Sequence, residues 1–384
     1  MNKSNPGFPP FSLSRLLTTV FAPRAGERIA ILIDLDDPAE IRDLSFLKRD
    51  KYPIQRLGYE VFCKGLQDGV LEQLQLRGGD LFAYRVTGGS NLDLPPDAMD
   101  PSGRVIDLER DVYRRYDIIL CISTFSATAP LTAFAKRIGF RGATLHGLNE
   151  IILGSGLAVD YNVVSQEAER LRSALTRADH FDVDFVVDGV AHTLRLLCGG
   201  QEAQKSHGLC RGEQPDVANL PAGEVYFVPT GAEGAFPMRY EDGTLGLMQV
   251  TDGRIQQAAL LRGDKAVVDA HNVKLAADPV TGELGELGFG TQNLPVSGRD
   301  IQDEKILGTM HVATGRSDHL GGSLTPDRFA EAANATHDDI LFAPHKTPEI
   351  QVRQVRMFRD GETTVVLEDF RPAAYLRQAM AASS

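Results

Sequence analysis

"GERIAILIDL", residues 26–35, decides how the first half of the chain is read. It is a short, almost wholly apolar run, with isoleucines at 29, 31 and 33, bounded by Gly and Asp. A run this short and this rich in β-branched residues reads as a strand buried on both faces. Working outward, residues 53–78 show helical apolar spacing, and "DLFAYRVTG" (80–88) and "YDIILCIST" (116–124) repeat the strand texture. "TAPLTAFAKRIGF" (128–140) predicts a helix with Leu131, Phe134 and Ile138 on its apolar face, and "RGATLHG" (141–147) a further strand. Strands alternating with helices require a parallel sheet covered by helices. The expectation is an α/β protein with a Rossmann-like parallel-sheet domain over 26–175, preceded by a partly ordered arm over 1–25. The first strand is followed by "DLDDPAE" (34–40) in place of a Gly-x-Gly-x-x-Gly turn, so a dinucleotide site is not supported.

"NVVSQEAERLRSALTRAD" (162–179) predicts a long amphipathic helix that bridges the two halves. Past it the texture changes. "HFDVDFVVDG" and "VAHTLRLLCGG" alternate like strands joined at a turn with Asp188 and Gly189, and short strands with Gly, Asp and Pro turns continue to "QVRQVRMFRDGETTVVLEDF" (351–370). Residues 176–384 therefore read as a β-rich α+β domain with one or two helices, one of them at "TPDRFAEAANA" (325–335).

A chain of 384 residues suits two domains, and 42% hydrophobic with 24% charged residues is ordinary for a folded protein. The formal charge of −12, with no basic run, excludes a phosphate-neutralising face and with it nucleic acid as a partner. The same acidity is compatible with cation binding. Cys63, Cys121, Cys198 and Cys210 form no C-x-x-C pair, which leaves reduced, buried thiols in a cytoplasmic protein as the expectation. No apolar stretch approaches the ~20 residues that span a bilayer, and the apolar segment near the N-terminus is too short and broken for a signal peptide.

Four stretches of the second half carry candidate ligands. They are "LPAGEVYFVPTGAEG" (220–234) with Glu224, "GELGELGFGTQNLP" (282–295) with Glu283 and Glu286, "KILGTMHVATGRSDHLGG" (305–322) with His311, and "ATHDDILFAP" (335–344) with His337 and Asp339. If "HDDILFA" is a strand, His337 and Asp339 share a face and Asp338 points away. An imidazole and a carboxylate on one rigid face make half of a metal site, and a sulfur-free set suits Zn, Co, Mn or Fe(II). Taken singly, each residue is an ordinary polar group in a glycine-rich turn. Their conjunction, each beside a strand end or glycine turn, is what points to a site.

These stretches resemble the aminopeptidase T family of dinuclear metallopeptidases. "LPAGEVYFVP", "ELGFGTQN", "DEKILGTMHVATG" with the following "GG", and "HDD" occur in the family's order and approximate spacing, over roughly residues 180–370. The resemblance implies Glu224, Glu286, His311, His337 and Asp339 as ligands of two divalent ions (Zn, Co or Mn), with Glu224 or Asp339 bridging. It implies a hydrolase that removes N-terminal residues from short peptides, and a homodimer that encloses its sites. Members with peptidase activity carry a tyrosine seven residues after the His311 position. Here that place is Asp318, followed by His319. Glu286, Asp318 and His319 are therefore the candidate catalytic groups for moving a proton, with Tyr240 behind them. The same superfamily contains 2,5-dihydroxypyridine dioxygenase, a ring-cleaving enzyme with one non-heme Fe(II), which keeps the His-x-Asp but has histidine at the Glu286 position and lacks Glu224 and His311. That enzyme, or a repurposed small-molecule enzyme or binder, is the alternative. Five ligands suit two ions and three suit one, which favours the hydrolase.

Overall fold

The computed structural model describes residues 7–212 and 215–381, a mixed α/β chain that divides into two compact units. The first takes in Met1–Ser165, His207–Ala222 and Ser297–Gln302. The second takes in Gln166–Ser206, Gly223–Val296 and Asp303–Ser384. The division is not the single cut at 175 that the sequence suggests. It falls inside the long helix, and two later segments return to the first unit.

In chain order the first unit begins with α1 (Leu13–Phe21), then β1 (Arg28–Leu35), β2 (Arg77–Arg85), β3 (Asp97–Met99), β4 (Val105–Asp107), β5 (Ile118–Ile122), α2 (Thr128–Ile138) and β6 (Arg141–Thr144). Next comes α3 (Tyr161–Leu175), then β7 (His180–Val187), β8 (Val190–Leu197) and β9 (Gln204–Ser206) of the second unit and β10 (Val217–Asn219) of the first. The first unit's sheet runs β10-β6-β5-β1-β2-β3-β4. Its strands from β10 to β2 are parallel, and β3 and β4 finish it antiparallel. Every residue of β1 after Arg28 and every residue of β5 is buried, which explains their unbroken apolar texture.

The expected arm is in part a helix. Residues 1–6 lie outside the described residues, but Leu13, Leu16, Leu17, Val20 and Phe21 of α1 pack into the first unit's core, with Ser12 capping Arg15 N. Their i, i+3, i+4, i+7 spacing gives the helix one continuous apolar face, and Arg15 reaches the carbonyls of Pro10 and Ala158 at 2.6 and 2.9 Å.

The second unit continues with β11 (Glu224–Phe227), β12 (Gly231–Arg239), β13 (Leu245–Thr251), β14 (Arg254–Arg262), α4 (Lys265–Ala277), β15 (Leu284–Gly290), β16 (Met310–Gly315), β17 (His337–Phe342), β18 (Gln351–Arg359), β19 (Glu362–Glu368) and β20 (Arg371–Pro372). They form an antiparallel sheet β17-β16-β15-β11-β9 and a second one, β14-β13-β12-β8-β7-β18-β19-β20. Aromatic rings from the two sheets meet in one core, Phe181 against Phe227 and Phe289 at 5.3 and 5.5 Å and Phe185 against Phe342 at 4.8 Å. The predicted helix at 325–335 is absent. Two short turns stand there, Pro326–Arg328 and Ala332–Asn334. The buried carboxylate of Asp278 accepts from Ala330 N at 3.0 Å and from Asn334 Nδ2 at 2.9 Å, and these tertiary bonds replace the helical ladder.

The four cysteines are buried and free. Among the described residues no helix is long and apolar enough to cross a membrane.

If residues 13–21 belong to the core, Leu17→Ala will destabilise the protein by about 2–5 kcal/mol in urea unfolding, since Leu17 is fully buried. A loss below about 0.5 kcal/mol would return the segment to a loose arm.

Candidate metal centre

Four adjacent strands of the five-stranded sheet carry the candidate ligands. Glu224 opens β11, Glu286 lies in β15, His311 in β16, and His337 and Asp339 in β17. Strand alternation sorts the side chains. Val225, Phe227, Leu287, Phe289, Met310, Val312 and Phe342 belong to the apolar core, and the donors alternate with them on the other face. Asp338, between His337 and Asp339, is exposed and accepts from Thr336 Oγ1 at 2.6 Å.

On one neighbouring strand the register sets a glycine or alanine opposite each donor, although His311 also faces Leu341 on β17. Glu224 faces Gly290, His311 faces Gly288, Glu286 and Asp339 flank Ala313, and His337 faces Gly315. Large neighbours there would fill the space the polar side chains need. Gly288 is the sharpest case, because the His311 imidazole lies directly over its α-carbon, where a methyl group would collide with the ring. His311 Nδ1 has no hydrogen-bond partner among the described residues, so the ring is held by its packing on Gly288 and by the contact of Nε2 with Glu286.

Glu286 sits between two imidazoles. Its Oε1 is 3.4 Å from His311 Nε2 and its Oε2 is 3.0 Å from His337 Nε2. His337 Nε2 is also 3.2 Å from Asp339 Oδ1, and His311 Nε2 is 3.8 Å from Glu224 Oε2. His337 Nδ1 lies 2.7 Å from the Arg316 carbonyl. A carbonyl only accepts, so Nδ1 carries hydrogen and Nε2 is the atom turned to the carboxylates.

The donors form two groups, Glu224–Glu286–His311 and Glu286–His337–Asp339, each with ligand atoms within 4.8 Å of one another. Either group can hold a metal ion. The carboxylate common to both is Glu286; Glu224 and Asp339, to which the sequence reading gives the bridge, lie one in each group. Two imidazoles, three carboxylates and no sulfur suit Zn, Co, Mn or Fe(II), so the residues fit the ions that the sequence suggests.

Burial and charge oppose each other across the donors. Burial opposes ionisation of Glu286, but hydrogen bonds and charge from His311 and His337 outweigh it and hold the carboxyl below its usual range. Burial likewise opposes charge on His311, and Glu286 overrides it and raises the imidazole to about 10. His337 is raised as well, with Asp339 and Glu286 overcoming its burial.

Two residues with no role in the sequence reading join this face. The Lys305 side chain is 1% exposed, with Nζ 2.6 Å from Glu224 Oε2 and 2.5 Å from Glu304 Oε1. Burial works against both charges. It pushes the Glu304 carboxyl up to about 8, while Glu224 and Glu304 keep Lys305 protonated. "DEK" at 303–305 reads locally as an ordinary charged surface run. Two hints exist: "DEK" opens the "DEKILGTMHVATG" stretch that carries the family resemblance, and the α-carbon of Gly290 abuts the backbone of 304–306 and lets that segment close over the sheet.

The catalytic candidates divide. Arg316 holds Asp318 through Nε at 2.7 Å and Nη2 at 3.2 Å, so that carboxylate is engaged rather than free to move a proton. The His319 ring stands edge-on to His337 at 5.0 Å with its side chain 5% exposed. Burial and then the charge on His337 push it down to about 3, which keeps it neutral. Glu286 has both oxygens turned to imidazoles, the posture of a ligand rather than of a proton carrier. The Tyr240 hydroxyl is bonded to His271 Nδ1 on α4 at 2.7 Å.

Gly288→Ala will weaken metal binding about tenfold or more by displacing His311, whereas Asp338→Ala will leave it unchanged; calorimetric titration reads both. Equal losses would mean that the two faces of the sheet are misassigned. Because His311 is raised to about 10, the metal-free site is protonated at neutral pH and must release protons to a divalent ion. Affinity for Mn²⁺ will therefore rise as pH goes from 7 toward 9, with proton release visible as a dependence of the heat on buffer. A flat profile would contradict the charged His311.

No protein-family model and no curated protein sequence matches the chain. Among solved structures, the chain is similar in fold to 2,5-dihydroxypyridine dioxygenase from Pseudomonas putida KT2440, with TM-score 0.59, 12% identity, and coverage of 91% of this chain and 92% of that one. Likeness at this identity is a likeness of fold.

Proposed function

We propose that this chain is a metal-dependent enzyme whose centre takes two divalent ions with Glu286 between them, and that it is a hydrolase of the aminopeptidase type acting on small substrates with a free amine. The observation that carries this reading is the sharing of one buried carboxylate by two complete three-donor groups. When bound, such a pair of ions supplies Lewis acidity and a nucleophilic water near neutral pH.

The chain's own residues do the rest. Arg316 fixes the His337 tautomer through its carbonyl. Gly288 fixes the His311 ring. Asp339 is the most open of the ligand set, its side chain 31% exposed, and offers the acidic edge at which a substrate's amino group is drawn in and oriented. His319, neutral and 5.0 Å from the His337 ring, is the candidate for the missing tyrosine's place, since Asp318 is held by Arg316. In this reading the first unit is a Rossmann-like framework and the protein works as a cytoplasmic homodimer.

A second reading has its own support. The fold shared with the dioxygenase, taken alone, favours a ring-cleaving enzyme with one Fe(II) at Glu286, His337 and Asp339 over a peptidase. Against it, that group has one imidazole and two carboxylates rather than the two-histidine, one-carboxylate triad of non-heme Fe(II) oxygenases, and it leaves Glu224 and His311 without a use.

Protein loaded with Zn, Co or Mn is expected to release the N-terminal residue from aminoacyl anilides and short peptides and to spare their N-acetylated forms. Equal cleavage of both forms would remove the amine-anchoring role of Asp339. Inertness toward peptides, with oxygen consumed on a dihydroxylated pyridine under Fe(II), would transfer the function to the second reading.

A further inference from the structure

The ammonium group of Lys305 occupies an unusual place. It is buried beside a candidate metal position, and it takes the same oxygen of Glu224, Oε2, that faces His311 Nε2. Its other partner, Glu304, is equally withdrawn from solvent, with 5% of its side chain exposed. A lysine this deep needs carboxylates around it, and carboxylates this deep need a cation. The ammonium group joins the two buried carboxyl groups, Glu224 at 2.6 Å and Glu304 at 2.5 Å.

We propose that Lys305 is a built-in cation that positions Glu224 and makes the Glu224–Glu286–His311 position the weaker of the two, so that the Glu286–His337–Asp339 position fills first. The inference rests on the reading of the site as a metal centre with two positions. The argument is one of charge. An ion entering the Glu224 group binds a carboxylate oxygen already held at 2.6 Å by an ammonium group, and two cations sharing one buried oxygen repel. Among the described residues the other group has no lysine on its distinct carboxylate: Asp339 turns to His337 and is open to solvent on one side. Removing the ammonium while leaving Glu224 and Glu304 in place strips two buried carboxyl groups of their shared partner. The metal-free protein then loses stability, and a divalent ion is drawn to Glu224 more strongly. Lys305 is thus a positioning residue. It holds Glu224 ready without metal and grades the affinity of the two positions.

The test is calorimetric titration of metal-free protein with Zn²⁺, with melting temperature read before and after, for wild type, Lys305→Met, Lys305→Arg and the double variant Lys305→Met/Glu304→Gln. Wild type is expected to bind two ions in unequal steps. Lys305→Met is expected to tighten the weaker step by roughly tenfold or more, leave the first unchanged, and lower the metal-free melting temperature by roughly 10 °C. Zinc should then stabilise this variant more than it stabilises wild type. Lys305→Arg keeps the charge and should behave as wild type. The double variant relieves one uncompensated carboxylate, so the weaker step can be read even if Lys305→Met fails to fold. Structural damage loosens a site, so tightening cannot come from misfolding. Two ions in wild type with a second step unchanged or weakened by loss of the ammonium overturns the role of Lys305 and leaves the two-ion reading intact. One ion in wild type and two in Lys305→Met overturns the two-ion reading and supports the built-in cation. One ion in every variant overturns both.

Discussion

Everything at this site follows from one carboxylate held between two imidazoles. Glu286 is buried, faces His311 on one side and His337 on the other, and belongs to both groups of donors. A buried carboxylate is tolerable only with charge or hydrogen bonds around it. Two imidazolium groups provide that in the metal-free protein, and divalent ions can do so in their place. The surrounding strands are arranged so that five donors converge on this carboxylate.

That arrangement is a consequence of sheet geometry. Four neighbouring strands each give one face to the sandwich core and the other to polar donors, with glycine or alanine opposite every donor on one neighbouring strand. The pattern explains the composition of "ELGFG" and "MHVATG" better than turn propensity does. Gly288 is there because an imidazole lies on it, and Gly290 because the backbone of 304–306 passes over it. A site built on paired strands is held by the backbone ladder, so its geometry does not depend on loop order.

Much of this was legible. The buried strands β1 and β5 and the alternation of β17 can be read from residues alone, because apolar runs and period-two patterning are local signals, whereas the choice of Glu286 over Glu283 and the full set of five donors came from the family resemblance. The helix at 325–335 was misread because its competitor, the Asp278 carboxylate, lies about fifty residues away in sequence. The packing of α1 was missed because a short segment flanked by Pro and Arg carries little pattern of its own. Lys305 and Glu304 were missed for a deeper reason. A charged run belongs on the surface by every local criterion, and only the close approach of 304–306 to Gly290 buries it. The sharing of Glu286 was also beyond the sequence, since it depends on a register that sets β15 between β11 and β16.

The two proposed readings differ in the number of ions held at Glu286, one or two. The most direct measurement is anomalous diffraction at the metal edge from crystals grown with Zn or Mn. The account predicts two peaks flanking Glu286, one among Glu224, Glu286 and His311 and the other among Glu286, His337 and Asp339. A single peak, or two peaks without Glu286 between them, would contradict it.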